Sequence, residues 1–231
     1  MTDSNRLFLD RFSDRERISH YSEGPPRFTP GLDAVHRMTA ILLGEHAPPD
    51  AHVLVLGAGG GLELKAMADA QPNWRFTGVD PAGPMLDLAR DMVGADIGRV
   101  ELVEGYIEDA PQGPFDAATC LLTLHFLDRD ARVRTLREMR RRLKPGTPLV
   151  VVHSSFPQDE PARTRWLSRY AAYAVASGAD PEQTEQARAA VSASLALLTP
   201  REDEECLALA GFQAVELFYA AFTWRGWVAT A

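Results

Sequence analysis

A short apolar run, His52-Val53-Leu54-Val55-Leu56, passes without a break into Gly57-Ala58-Gly59-Gly60-Gly61, and this junction constrains the 231-residue chain more than any other feature. A continuous apolar run of that length suits a strand buried on both faces, as in the middle of a parallel sheet. Glycines then let the backbone turn sharply and approach a ligand without a side-chain clash. Leu62 to Ala70 has helical character, and Trp74 to Asp80 reads as a second strand ending in an acid. Strand, glycine turn, helix and strand make a βαβ unit. In the dinucleotide fingerprint G-x-G-x-x-G the third glycine would fall at position 62, which here is Leu62; it arrives one residue early, at Gly61. Taken alone, the glycines favour a cofactor turn, with a plain tight turn as the alternative.

The alternation continues with a helix from about Pro84 to Met92, strands at Val100 to Glu104 and Phe115 to Leu121, a helix from Arg132 to Leu143 and a strand at Leu149 to His153. Such a β-α rhythm predicts a parallel sheet with helices on both faces. Residues 157–198 read as a helical insertion, with helices at Ala162 to Ala176 and Glu182 to Leu198. Thr199-Pro200 starts a further helix that stops at Gly211. Two closing strands, Ala214 to Ala220 and Phe222 to Ala229, are too close in sequence for a crossover helix and must pair antiparallel. Residues 1–47 read as an N-terminal cap, and the whole of 1–231 as a single domain.

Composition narrows the class. Hydrophobic residues at 45% and charged residues at 24% are those of a packed globular chain, and no apolar run reaches the roughly 20 residues of a membrane span. With no signal-peptide pattern at the N-terminus, the expected location is the cytoplasm. A net charge of −8 argues against a broad nucleic-acid surface. The one basic cluster, Arg137, Arg140, Arg141, Arg142 and Lys144, ends a helix, where cations also suit the helix dipole. Cys120 and Cys206 have no metal-ligand spacing; no metal site is predicted, and Cys120 is expected to be buried and reduced.

Asp80 lies about 20 residues beyond the glycine turn, where a strand-end acid accepts the hydroxyl hydrogen bonds of a ribose; capping the turn Pro81-Ala82-Gly83-Pro84 is its alternative role. Through Val53 to Gly61, Gly78-Val79-Asp80-Pro81, Phe115-Asp116-Ala117 and Leu143-Lys144-Pro145-Gly146, the chain resembles the class I S-adenosylmethionine-dependent methyltransferases over about Asp50 to Ser155. The resemblance implies a Rossmann-like seven-stranded α/β sheet with a reversed last strand and S-adenosylmethionine as cofactor. Gly57, Ala58 and Gly59 would lie under its methionine part, Asp80 and Pro81 at the ribose, and the end of the fourth strand, Cys120-Leu121-Leu122-Thr123, beneath the methionine part. Family members often place an aspartate after a glycine to hold the adenine; here that place is Tyr106. The Ile107 backbone amide is then the expected adenine contact, with Met85 and Ile107 either sandwiching the ring or serving as core.

A closer likeness runs through Phe12, Arg27, Pro30-Gly31, Leu122 to Leu127 and Ala210-Gly211-Phe212 to the carboxy-S-adenosylmethionine synthase family, which acts in tRNA wobble-uridine modification and commonly forms dimers. The likeness implies a homodimer. The arginine which that family uses for the extra carboxylate falls near Val175, and its tyrosine after Pro-Gly falls at Leu32. A buried carboxylate without a charge partner is costly, so ordinary S-adenosylmethionine is expected, with methyl transfer to a small molecule. A tRNA-modification enzyme and a non-catalytic binding protein are the competing readings.

Methyl transfer is an in-line displacement in which proximity supplies much of the rate and a base is needed only when the acceptor loses a proton. His153, at the end of the fifth strand, is the candidate base, against the plainer reading of a hydrogen-bonded strand-end histidine. His125 shares that ambiguity. Tyr21 and His20 fall in the cap, where the resemblance places a lid over the cofactor. Arg27 is read either as a partner of the methionine carboxylate or as a surface arginine.

Overall fold

The computed structural model describes Phe12 and residues 21–231. Its helices are α1 (Gly24–Phe28), α2 (Leu32–Gly44), α3 (Leu62–Ala70), α4 (Gly83–Val93), α5 (Arg129–Arg141), α6 (Ala162–Ala176), α7 (Pro181–Ser194) and α8 (Pro200–Leu209). The strands are β1 (His52–Leu56), β2 (Arg75–Asp80), β3 (Val100–Glu104), β4 (Ala117–Leu121), β5 (Pro148–Ser154), β6 (Gln213–Ala221) and β7 (Trp224–Thr230). They form one sheet in the order β3-β2-β1-β4-β5-β7-β6. β1 to β5 are parallel, while β7 pairs antiparallel with both β5 and β6. The reversal puts the start of β7 beside the end of β5, with Trp224 opposite Ser154 and Arg225 opposite His153.

The apolar runs predicted to be covered on both faces are so covered. Leu54 and Leu56 of β1 and Leu149 and Val151 of β5 join Val133, Leu136 and Met139 of α5 and Cys206 and Leu207 of α8 in one core layer. Val53, Val55, Val150 and Val152 join Leu32 and Val35 of α2, Leu64 and Met67 of α3 and Leu86 and Ala89 of α4 in the other. Alternate residues of a strand point to opposite faces, so both layers draw on the same short segments.

Two boundaries moved for local reasons. α5 starts at Arg129 rather than Arg132 because the Asp128 carboxylate accepts the Ala131 amide at 2.8 Å and caps it. α7 stops at Ser194, short of Leu198, because Leu195 turns extended; the Leu198 carbonyl then accepts the Phe156 amide. α8 begins as read, with Thr199 and Glu202 forming a reciprocal cap. The cap is tied to the closing strands: Tyr219 Oη donates to the Pro30 carbonyl at 2.7 Å and Trp224 Nε1 to that of Phe28 at 2.8 Å. The basic cluster is occupied internally. Arg142 is buried on the Glu138 carboxylate and the Ala110 and Glu108 carbonyls, Arg137 binds the Leu209 carbonyl, and Lys144 pairs with Asp116. Cys120 and Cys206 are both buried and free. Among the described residues no helix is long and apolar enough to cross a membrane, and no cluster of potential metal ligands occurs.

Candidate cofactor and acceptor site

β1 delivers the glycine turn to the carboxyl edge of the sheet, where the Gly57 and Ala58 amides both donate to the Val79 carbonyl of β2. The turn is thereby fixed against the strand that carries Asp80. One carboxylate oxygen of Asp80 accepts the Gly59 amide and the other the Ala82 amide, each at 2.9 Å. Burial pushes the Asp80 carboxyl up, with those two amides opposing it. Asp80 therefore both braces the turn and keeps acceptor lone pairs, since each oxygen has taken one bond.

Several of the glycines accommodate protein rather than a ligand. A side chain at Gly57 would collide with Thr123, which follows β4, and one at Gly61 would lie 2.7 Å from Ala89 Cα on α4. A Cβ at Gly60 would sit 2.6 and 2.9 Å from Cδ1 and Cε1 of Tyr21. Gly59 differs: its open side faces the Tyr21 hydroxyl and Met85 Cε, at 3.3 and 3.6 Å from a notional Cβ. Thr123 belongs to the strand-end segment expected beneath the methionine part, whereas Glu63 was not singled out from the sequence. Glu63 follows the turn in α3, buried, and burial pushes its carboxyl up to about 8, with Thr119 opposing. The only sequence-level signal for it was an acid on the inward-facing side of an otherwise apolar helix pattern.

Tyr21 and Phe12 pack with Met85, Ala82 and Leu88 over the turn. Phe12 stands edge-on to both Tyr21 and Phe126, with ring centroids 6.2 Å apart in each case. Burial, then the charges of Asp80 and Glu63, push the Tyr21 hydroxyl far above its ordinary range, so near neutral pH it is a phenol and a hydrogen-bond donor. Residues of the sequence reading that converge here are Gly57, Ala58, Gly59, Asp80, Pro81, Met85 and Tyr21. Leu121 ends β4 beside the turn, its carbonyl accepting the Thr123 hydroxyl at 3.0 Å. Leu122 beyond it takes a left-handed φ of 55°.

Others lie elsewhere. Ile107 has its side chain in the core layer with Leu56, Val79 and Ala110, which favours packing over an adenine sandwich. Tyr106 is exposed and leads a short helical turn capped by Asp109. Arg27 pairs with Glu23 at 2.9 Å and lines a cleft of about 160 Å³ with Phe28, Asp180 and Thr184, between α1 and the α6–α7 corner. His20 falls outside the described residues.

His153 does not open onto the turn. It is 1% exposed, stacks on Trp227, and lies 3.1 Å from Asp203 of α8, which also pairs with the buried Arg132 of α5. Burial pushes the imidazole below its usual range despite the pull of Asp203. Arg132 further donates to the Leu127 and Ala196 carbonyls, so this cluster fastens α5, α8, β5 and the end of the α6–α7 segment together. His125 is likewise buried, against Phe126 and Trp224, and burial followed by the charges of His153 and Arg132 holds it neutral.

A glycine turn at the edge of the central strand and a strand-end carboxylate with free lone pairs fit an adenosine bearing a flexible tail. With the reversed β7, they reproduce the sheet and the edge site of the class I S-adenosylmethionine-dependent methyltransferase fold. The methyltransferase-domain family model matches residues 53–146. Carboxy-S-adenosyl-L-methionine synthase of Chromohalobacter salexigens is 27% identical over 229 residues, covering 96% of this chain and 85% of that protein. Among solved structures, PigF with S-adenosylhomocysteine superposes with a TM-score of 0.68 at 18% identity, over 97% of this chain and 62% of that one. Human N-acetylserotonin methyltransferase in complex with S-adenosylmethionine gives 0.63 at 16% identity, over 99% and 60%. The chain thus spans about 60% of the length of these enzymes, which share its fold.

Proposed function

We propose that this protein transfers a methyl group from S-adenosylmethionine to a small molecule, with Gly57, Ala58, Gly59, Asp80, Pro81, Met85, Leu121 and the Ile107 backbone holding the cofactor. The observation that carries this reading is the Asp80 carboxylate, bonded to the Gly59 amide and still able to accept. The cofactor supplies an activated methyl on a sulfonium. The chain supplies position: Asp80 orients the ribose, and Tyr21 and Phe12 exclude water above the turn. Tyr21 acts as a donor and not as a base, because its hydroxyl stays protonated. His153 is assigned to the buried Arg132–Asp203 cluster and not to proton transfer, and Arg27 to the cap surface. Rate then rests on proximity, which suits an acceptor that already offers a lone pair.

The test is thermal stabilisation by S-adenosylhomocysteine and by NAD, for wild type and Asp80→Asn. Stabilisation by S-adenosylhomocysteine alone, weakened roughly tenfold or more in affinity in the variant, is expected. Stabilisation by NAD alone sinks the reading.

A second reading, a carboxylated cofactor, draws on the carboxy-S-adenosyl-L-methionine synthase relatives that match nearly the whole chain. Against it stand Val175, an exposed apolar residue, and Leu32, a core residue, where charged and polar partners are expected. Mass spectrometry of retained ligand decides between the two. From the same likeness we infer a homodimer, which sedimentation of the purified chain tests.

A further inference from the structure

The turn between β6 and β7 sits on the same edge of the sheet as the glycine turn, because β7 starts opposite the end of β5. Arg225 rises from it, half-buried, against an aromatic surround. Its guanidinium carbon lies 5.6 Å from the centre of the Trp166 ring on α6. Arg169, one turn further along α6, lies 4.7 Å from the same ring. Tyr173, on the same side of α6, packs against Phe222 at 5.9 Å, and Tyr219 is close enough to influence the Arg225 charge. One nitrogen of Arg225, Nη1, donates to the Phe222 and Trp224 carbonyls at 2.7 Å each.

Neither Arg225 nor Arg169 has a carboxylate partner among the described residues. That is unusual for a half-buried arginine, since buried charges are normally paired. An aromatic face attracts a cation but does not neutralise it. Burial accordingly pushes the Arg225 guanidinium down from its ordinary range. Nε and Nη2 of Arg225 are left as a planar donor pair, the geometry that matches two oxygens of one anion.

We propose that Arg225, assisted by Arg169 across Trp166, binds an anionic group, carboxylate or phosphate, of the methyl acceptor. The inference rests on the methyltransferase reading for the word acceptor, while the anion site stands on its own residues. The insertion helix α6 then has a role in recognition: it presents an indole that holds two guanidiniums in place beside the reaction edge.

The experiment uses the full chain saturated with S-adenosylhomocysteine, at constant ionic strength. Benzoate, phenyl phosphate and uncharged benzamide are titrated while indole fluorescence is followed. A saturable response to one or both anions and none to benzamide is expected, and the two anions separate carboxylate from phosphate recognition. Arg225→Gln weakens the response roughly tenfold or more, Arg225→Lys less, and the control Arg188→Gln, on an α7 arginine paired with Glu185, not at all. Should Arg225→Gln fail to fold, Arg169→Gln, on an exposed side chain, reads the same site. Equal responses to benzoate and benzamide, or unchanged anion affinity in the foldable variants, overturn the proposal. Anion binding by a chain that does not bind S-adenosylhomocysteine keeps the site and removes the methyltransferase reading; the reverse pattern removes only the site.

Discussion

Gly60→Ala separates the closure of the cofactor site from the stability of the fold. Gly60 does not adopt a left-handed φ, unlike Gly57, Gly59 and Gly61, so alanine fits its backbone without strain. The gain from a stiffer unfolded chain is about 0.4–1 kcal/mol. The new methyl would lie 2.6 Å from Tyr21 Cδ1, whereas carbon atoms pack at roughly 3.5–4.0 Å, so the ring must retreat by about 1 Å or leave. Full burial of a large apolar side chain is worth about 1.5–3 kcal/mol; losing part of that contact costs about 1–1.5 kcal/mol of closure, close to tenfold in cofactor affinity. Calorimetric titration with S-adenosylhomocysteine should show that loss with an unchanged or slightly lowered melting temperature. Tyr21→Ala should weaken binding similarly, and the double variant no further, because the alanine then has nothing to strike. Wild-type affinity in Gly60→Ala, or losses that add in the double variant, would refute the seating of Tyr21 on Gly60.

Two further outcomes concern the buried acids. Glu63 is raised by burial from 4.5 to about 8, so the folded protein keeps a proton that the unfolded chain gives up; its contribution is whole below about pH 4.5 and is lost as pH rises toward 8. Glu63→Gln should therefore gain stability relative to wild type by an amount on the order of 2–3 kcal/mol between pH 5 and 7, and parallel denaturation curves over that window would be the contrary result. Asp203 runs the other way: burial raises its carboxyl, but His153 and Arg132 outweigh that and hold it below the usual range. Its stabilisation is present above about pH 4 and lost in more acid solution. Asp203→Asn strands the Arg132 charge and should cost about 3–5 kcal/mol in urea unfolding, whereas a loss under 1 kcal/mol would show that the cluster is not the fastening described.

Much of this molecule was legible in its local chemistry. The run His52 to Leu56 is apolar on both faces, so it had to be an interior strand. Thr199-Pro200 with Glu202 had to start a helix, and Ala214 to Ala229 left no room for a crossover and had to reverse. These are properties of backbone dihedrals and of residue spacing, which neighbours far off in the chain do not alter. Asp80 was readable for the same reason, as the acid at a fixed distance from a turn. The sequence could not tell which space each glycine vacates, because Thr123, Tyr21 and Ala89 arrive from three other elements. Nor could it tell that His153 faces Asp203 instead of the reaction edge, since the side of the sheet on which a strand-end residue lands depends on the helix packed there. Arg225 and Trp166 are 59 positions apart and meet only because β7 runs backward against β5. Their meeting, like the proton kept on the buried Glu63 carboxyl, is a matter of three-dimensional solvation and not of local pattern.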